Sequence, residues 1–443
     1  MPIEVCTVGG FTKTGGNSVA VKVGDEVVIL DMGLNMEKYI HYTEDREDIR
    51  SKTYKELLKA DAVPDYTLIK DWTKNVVGIV PSHAHLDHIG AIPYAAPLFP
   101  DATIVCTPYT AEVLKAITHD EKLSISNKII PMNVNSTYKL SKNFTVEFVN
   151  VTHSIPHATL IILHTPEGSV MYANDYKFDR QPTLGKKPNF ERLKELGDKG
   201  ISLLIMECLY AHEHRKMPSE SVAKQMLKDV LLGVQSEGKG MIVTTFSSHI
   251  ARLKSIIEMG KKLNRKIVFL GRSLSKYVTA AQNIELVNFE KDVKLIGYRD
   301  KIDKMLHKIM KEGKEKYLIV CTGHQGEPKA ILSRLAKGHE SFRFESGDIV
   351  TFSCSVIPVE LNKENRGRLE QNLRNKNVRI FTDVHVSGHG AREDHRDLLE
   401  LVRPKNIIPS HAGKEKAEML KELAAQLGFK KTHIMVDGKR IVI

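Results

Sequence analysis

The stretch "VGIVPSHAHLDHIGAI", residues 77–92, carries an apolar run into three histidines and one aspartate within six positions. The order is H-x-H-x-D-H: His83, His85, Asp87 and His88. Directly after a strand, side chains at i and i+2 project to the same side, so His83 and His85 can reach one ion while Asp87 and His88 turn toward a second. Imidazole and carboxylate ligands without thiolate suit Zn²⁺, with Mn²⁺ the lesser alternative, and paired ions imply a hydrolase. Four residues cannot fill two coordination spheres. The pattern therefore demands ligands at later strand ends. His153 in "VTHSIPH", Asp175 in "YANDYKFD" and His411 in "IIPSHAG" each close an apolar run. A lone histidine after a strand is usually structural, but the joint pattern is far more specific than any member.

Outward from this cluster, the first half reads as strand-rich. "NSVAVKV", a Gly24-Asp25 turn and "EVVILDMG" form a hairpin, and a polar, helix-prone stretch spans about 43–62. "FTVEFVNV", "ATLIILHT", "SVMYAND" and "ISLLIMEC" read as further strands. From Pro218 the rhythm changes to alternating helix and strand, with Ser219 as N-cap of the first helix, and predicts a parallel, doubly wound sheet with ligands at the carboxyl ends of its strands. "TTFSSHIARL" (244–253), "LGRSLSKY" (270–277) and "CTGHQGEPKAILSRLA" (321–336) all lead from strand to helix, a favourable place for phosphate. Ser247, Ser248, Arg272 and Ser273 are the suitable contacts, although any one such turn is more often a plain helix cap. Beyond residue 371, histidines again follow strands, so the last segment is expected to rejoin the first domain. The division is 1–208, an inserted 209–370, and 371–443.

Composition bounds the partners. No run of about 18 apolar residues occurs and the N-terminus lacks a signal-peptide pattern, so a cytoplasmic protein without a membrane span is expected. Five cysteines without a C-x-x-C pair exclude a disulfide framework and a thiolate zinc ribbon. The formal charge of +11 is concentrated: residues 211–370 hold 29 basic and 19 acidic side chains, and the remainder is nearly neutral. A lysine-rich surface also serves solubility, but the asymmetry favours a polyanionic partner.

In their order, "LDMG", "SHAHLDH", "THSIPH", "NDYKFD" and "PSHAG" resemble the metallo-β-lactamase fold, an αββα sandwich of the α/β class, and the insertion resembles the doubly wound β-CASP domain of its nucleic-acid-processing branch. The resemblance covers essentially the whole chain. It implies two Zn²⁺: His83, His85 and His153 on one, Asp87, His88 and His411 on the other, Asp175 bridging, and Asp31 orienting ligands. Such a pair makes hydroxide available near neutral pH for attack on a phosphodiester. Asn174 stands where the family usually has glycine, which bears on backbone detail rather than on ligation. The resemblance further implies that His389 in "DVHVSGHGARED" contacts the scissile phosphate and protonates the leaving oxygen, with Glu207 orienting it. On residue type alone, Glu207 is equally an ordinary strand-end charge. Histidine at 411, where the DNA-repair branch has valine, favours RNA.

"GRSL", "TGHQGEP" and "HVSGHG" are most similar to the ribonuclease J family, which implies a 5′→3′ exoribonuclease preferring single-stranded RNA with a 5′-monophosphate, with endonuclease activity besides. The end-binding pocket would include Ser247, Arg272, Ser387 and Gly388, with His385 beside them. The chain resembles the shorter archaeal type, so a homodimer would form through the two core domains. The competing readings are an RNA 3′-end-processing endonuclease with the same metal site, a noncatalytic RNA-binding scaffold, and a small-molecule hydrolase that would leave the basic block unexplained.

Overall fold

Ser18–Val23 and Glu26–Leu30 pair antiparallel with Val23 opposite Glu26, leaving a two-residue Gly24-Asp25 turn in which Gly24 adopts φ +63°. This is the hairpin expected from the sequence, seen in a computed structural model that describes residues 2–44, 52–357 and 359–443. In the helix-prone stretch 43–62, residues 43–44 end the helix Met36–Glu44 and those from 52 onward form the helix Tyr54–Lys59 and flanking turns; residues 45–51 lie outside the described residues.

Two compact units result. The first comprises residues 1–180, 186–217 and 388–443. It holds a seven-stranded sheet in the order Arg440–Val442, Ile3–Gly9, Ser18–Val23, Glu26–Leu30, Val76–Val80, Thr103–Cys106, Ile129–Pro131. A six-stranded sheet faces it in the order Ile407–Ser410, Leu203–Glu207, Gly168–Ala173, Thr159–Thr165, Thr145–Asn150, Thr137–Lys139. Val21, Val28 and Leu30 of one sheet pack with Phe148, Ile161, Leu163 and Ile205 of the other to form the inner core. The alternate residues Leu160, Ile162 and Leu204 face outward and are covered by Leu196, Leu398 and Leu423 of three helices. Burial of both faces is why these strands read as continuous apolar runs rather than as alternation.

The returning segment completes both sheets. Ile407–Ser410 lies parallel to Leu203–Glu207 with Ser410 opposite Glu207, and Arg440–Val442 pairs with Ile3–Gly9. Glu207 and His411 are thereby brought to the same sheet end from positions two hundred residues apart in the chain.

The second unit comprises 181–185 and 218–387. Its six strands are all parallel, in the order Val293–Ile296, Lys266–Leu270, Tyr317–Cys321, Met241–Thr244, Ile349–Phe352, Arg379–Phe381. The expected insertion, 209–370, differs at both ends for identifiable reasons. Residues 209–217 stay with the first unit because the Met217 amide donates to Asp394 at 2.8 Å and Tyr210 bridges to Ala391. Residues 371–387 stay with the second because Arg379–Phe381 extends its sheet. All five cysteines are buried and free. Among the described residues no helix is long and apolar enough to cross a membrane.

Candidate metal centre

Four strand ends of the first unit converge. Val76–Val80 delivers His83, His85, Asp87 and His88; Gly168–Ala173 delivers Asp175; Ile407–Ser410 delivers His411; and the turn after Thr145–Asn150 delivers His153. Asp31, Asp175 and His411 all take left-handed backbone, with φ of 58°, 57° and 60°. Such conformations cost on the order of 1 kcal/mol each for non-glycine residues, and they cluster where a side chain must be aimed. Gly33 of "LDMG" is required for space: a Cβ there would lie 1.6 Å from the Asp87 carbonyl oxygen.

Two clusters share Asp175. In the first, His83 Nε2 and His153 Nε2 each lie 3.1 Å from His85 Nδ1 and 3.5 Å from Asp175 Oδ2. A tetrahedron of ligands at about 2.0–2.1 Å from a zinc ion has edges of roughly 3.3–3.4 Å, so these four atoms have the spacing of a coordination shell. In the second, His88 Nε2 lies 3.1 Å from Asp175 Oδ2 and 3.5 Å from Asp87 Oδ2, and His411 Nε2 lies 3.6 Å from Asp175 Oδ1. Asp175 Oδ1 is buried without a hydrogen-bond partner. A buried carboxylate oxygen left so is costly unless a cation claims it. The residues fit a metal pair on both counts.

The candidate ligands are oriented from behind. His153 Nδ1 donates to the Gly388 carbonyl at 2.8 Å, which turns Nε2 inward. His88 Nδ1 meets Asp31 Oδ2 at 2.7 Å, and Asp31 also accepts from the Ser82 amide and the Tyr172 hydroxyl. Asn17 Oδ1 holds His411 Nδ1 at 3.0 Å. Burial pushes His83 down to about 3 and His85 down to about 4, the neutral form that ligation needs. Burial acts against charge on His88 too, yet Asp175, Asp87 and Asp31 raise its pKa well above the ordinary value, a measure of how strongly the pocket attracts a cation.

His389 stands beside the clusters with its side chain 19% exposed, its Nδ1 2.9 Å from Glu207 Oε2 and its Nε2 3.9 Å from Asp175 Oδ2. Its ring stacks on His411. Burial lowers its pKa, but the Glu207 and Asp175 carboxylates outweigh that and raise it to about 9. Glu207 is fully buried, and its other oxygen accepts from the Tyr176 amide at 2.9 Å, so both oxygens are engaged; Asp175, Glu207 and His389 form a third group of closely set possible ligands.

In the second unit, Ser247 and Ser273 place their hydroxyls 3.0 Å apart, at the carboxyl ends of Met241–Thr244 and Lys266–Leu270. Ser248 is buried beside Ser247, and Arg272 is exposed at the start of the helix Arg272–Asn283. Phe246 sets its ring 6.1 Å from that of His385, and Ser387 ends this unit. Gly388 belongs to the first, where a Cβ would lie 2.6 Å from the Ser154 amide nitrogen. Sequence reasoning missed Asn17, Ser82 and Tyr172, which lie within quoted stretches without being singled out there: Asn17 meets His411, and Ser82 and Tyr172 donate to Asp31.

Three family descriptions match the chain: "Ribonuclease J, beta-CASP domain" over residues 238–368, "Zn-dependent metallo-hydrolase RNA specificity domain" over 376–435 and "Beta-lactamase superfamily domain" over 60–225. The chain is 41% identical over 443 residues to a ribonuclease J of Methanocaldococcus jannaschii, covering 99% of this chain and 98% of that one. It is 42% identical over 428 residues to one of Pyrococcus abyssi, covering 96% and 93%. A crystal structure of a protein of unknown function from Enterococcus faecalis has the same fold, with a TM-score of 0.68 at 20% identity over the whole of both chains.

Proposed function

The chain belongs to the ribonuclease J family of metal-dependent ribonucleases, and on that premise we propose that it is a two-zinc 5′→3′ exoribonuclease preferring 5′-monophosphorylated single-stranded RNA, with endonuclease activity besides. His83, His85 and His153 would hold one ion and Asp87, His88 and His411 the other, with Asp175 common to both groups. When bound, the pair supplies Lewis acidity and an activated water at neutral pH.

The chain's own part begins with His389. Glu207 accepts the Nδ1 proton, so Nε2 is the atom turned toward the Asp175 side of the site, where a phosphodiester would lie. From there it binds a phosphate oxygen and passes a proton to the leaving 3′-oxygen. Asp31, which accepts from His88, keeps a ligand in its orientation. In the basic second unit, Ser247, Ser248, Arg272, Ser273, His385 and Ser387 contact RNA phosphates, the end-binding subset there being Ser247, Arg272 and Ser387. The enzyme is a cytoplasmic homodimer in this reading; five free buried thiols accord with a reducing compartment.

The observation that carries the proposal is the His389–Glu207 pair set against a doubled histidine-aspartate cluster: a phosphate-directed imidazole is of no use to a bare metal store. Digestion of one RNA in 5′-monophosphate, 5′-triphosphate and circular forms tests it. Mononucleotides released from the first form are expected. Circles cut as fast as linear RNA would replace the exonuclease reading with an endonuclease one.

A further inference from the structure

Asp394 is a fully buried carboxylate in the first turn of the helix Arg392–Val402, five residues after His389. Its Oδ2 accepts from the Ala391 amide at 3.0 Å, reaching back over the start of its own helix as a capping carboxylate does. Capping accounts for that bond alone. The same oxygen accepts from the Met217 amide at 2.8 Å, and Oδ1 accepts from the Phe178 amide at 3.3 Å. Burying a carboxylate is unfavourable without donors, and here the backbone supplies them, with Lys216 Nζ more distant at 3.6 Å. The three amides come from separate stretches of the first unit. Phe178 lies three residues after Asp175, Met217 ends the segment that leaves Glu207, and Ala391 lies two residues after His389. These stretches bear Asp175, Glu207 and His389, whose ligand atoms lie within 4.8 Å of one another. Space beside Asp394 is as tight as its bonding. Gly390 donates its amide to the Tyr176 carbonyl at 2.6 Å, and a Cβ on Gly390 would lie 2.9 Å from the Asp394 Cβ. The loop carrying His389 is thus held on one side by the Tyr176 backbone and on the other by Asp394.

We propose that Asp394 is a positioning residue for the His389–Glu207 pair, tying the loop that carries His389 to the segments that carry Asp175 and Glu207. An imidazole that moves a proton must stay within hydrogen-bond reach of it, and a misplacement of about 1 Å costs on the order of 10²-fold in rate. Removing the carboxylate leaves three buried amides without their acceptor and loosens the loop at its only side-chain tether to Phe178 and Met217 together. Asp394 is assigned neither to a metal nor to substrate, so its effect passes through the loop. The inference rests on the reading of His389 as the phosphate-directed acid, and the two can fail separately.

The test uses the full-length, metal-loaded enzyme and a single-stranded 5′-monophosphorylated oligoribonucleotide. Asp394→Ala is expected to keep the full metal content, to hold KM within about threefold and to lose roughly 10–100-fold in kcat. Asp394→Asn retains one acceptor oxygen for the Ala391 and Met217 amides and is expected to lose only about three- to tenfold. The deciding measurement is a double-mutant cycle with His389→Ala. Once His389 is gone, Asp394→Ala is expected to cost no more than about a further twofold, because a positioning residue then has nothing left to position. A carboxylate that merely stabilises the fold would impose the same factor in both backgrounds. That outcome, or an Asp394→Ala enzyme at the parental kcat beside an impaired His389→Ala, overturns the positioning role and leaves His389 in place. His389→Ala at the parental kcat overturns the reading of His389, and this proposal with it. Should Asp394→Ala fail to fold, Asp394→Asn, which keeps the shape of the side chain, is read in the same cycle.

Discussion

Asn17 Oδ1 lies 3.0 Å from His411 Nδ1, across 394 residues of chain, and the same side chain's Nδ2 lies 3.1 Å from His88 Nε2. One amide thus touches two residues of the second cluster. Asn17→Ala is expected to weaken metal binding by about 10–100-fold, the usual effect of removing a partner behind a ligand, and to lower activity in parallel at limiting metal. Competition with a chelator of known affinity measures it. Retention of both ions at parental affinity would show that Asn17 has no part in holding them.

That residue also marks what the sequence could and could not convey. The H-x-H-x-D-H cluster is legible because four candidate ligands share one post-strand turn, and His153, Asp175 and His411 are legible because each closes an apolar run. Asn17 carries no such signal: its role exists only once Ile407–Ser410 joins the sheet edge beside Leu203–Glu207. Asp394 sits in the first turn of an amphipathic helix, where an acidic residue reads as solvent-facing. The three-residue strand Arg379–Phe381 is too short to announce which sheet it joins, so the unit boundary was not readable from pattern.

Asp87 has its side chain 23% exposed and His88 has none. Asp87 therefore lies on the open side of its cluster, where truncation leaves the surrounding packing in place. Asp87→Ala is expected to abolish cleavage while RNA affinity, supplied mostly by the basic second unit, stays within about threefold of the parent and keeps its salt dependence. Gel-shift titration in two salt concentrations, beside a cleavage assay, separates the two functions.

Glu207 and His389 make a different prediction, because neither is assigned to a metal. His389→Ala is expected to keep the full metal content and lose roughly 10²–10⁴ in turnover, the scale of a positioned acid. Glu207→Gln is expected to fall between the parent and His389→Ala. A nitrophenyl phosphodiester, whose leaving group needs no proton, discriminates: the His389→Ala defect is expected to shrink on it. An equal defect on both substrates would assign His389 to phosphate binding alone.

The last prediction concerns stability and lies away from the metal cluster. Glu147 is nearly buried; Arg192 reaches it with Nε at 2.6 Å and Nη2 at 3.1 Å, and His164 Nε2 lies 2.7 Å from it. Burial alone would raise this carboxyl, but His164 and Arg192 outweigh that and hold it at about 2. A carboxyl whose folded pKa is depressed stabilises the fold above its unfolded pKa and ceases to do so as pH falls through the folded value. The contribution is therefore complete at pH 7, declines below about pH 4.5 and is gone near pH 2. With Arg192 partly solvent-exposed, the net effect is on the order of 1–2 kcal/mol. Glu147→Gln is thus expected to unfold at lower denaturant than the parent at pH 7, with the two midpoints converging as pH is lowered toward 3. Midpoints separated equally at both pH values would assign the loss to packing, because only the ionic contribution disappears on protonation.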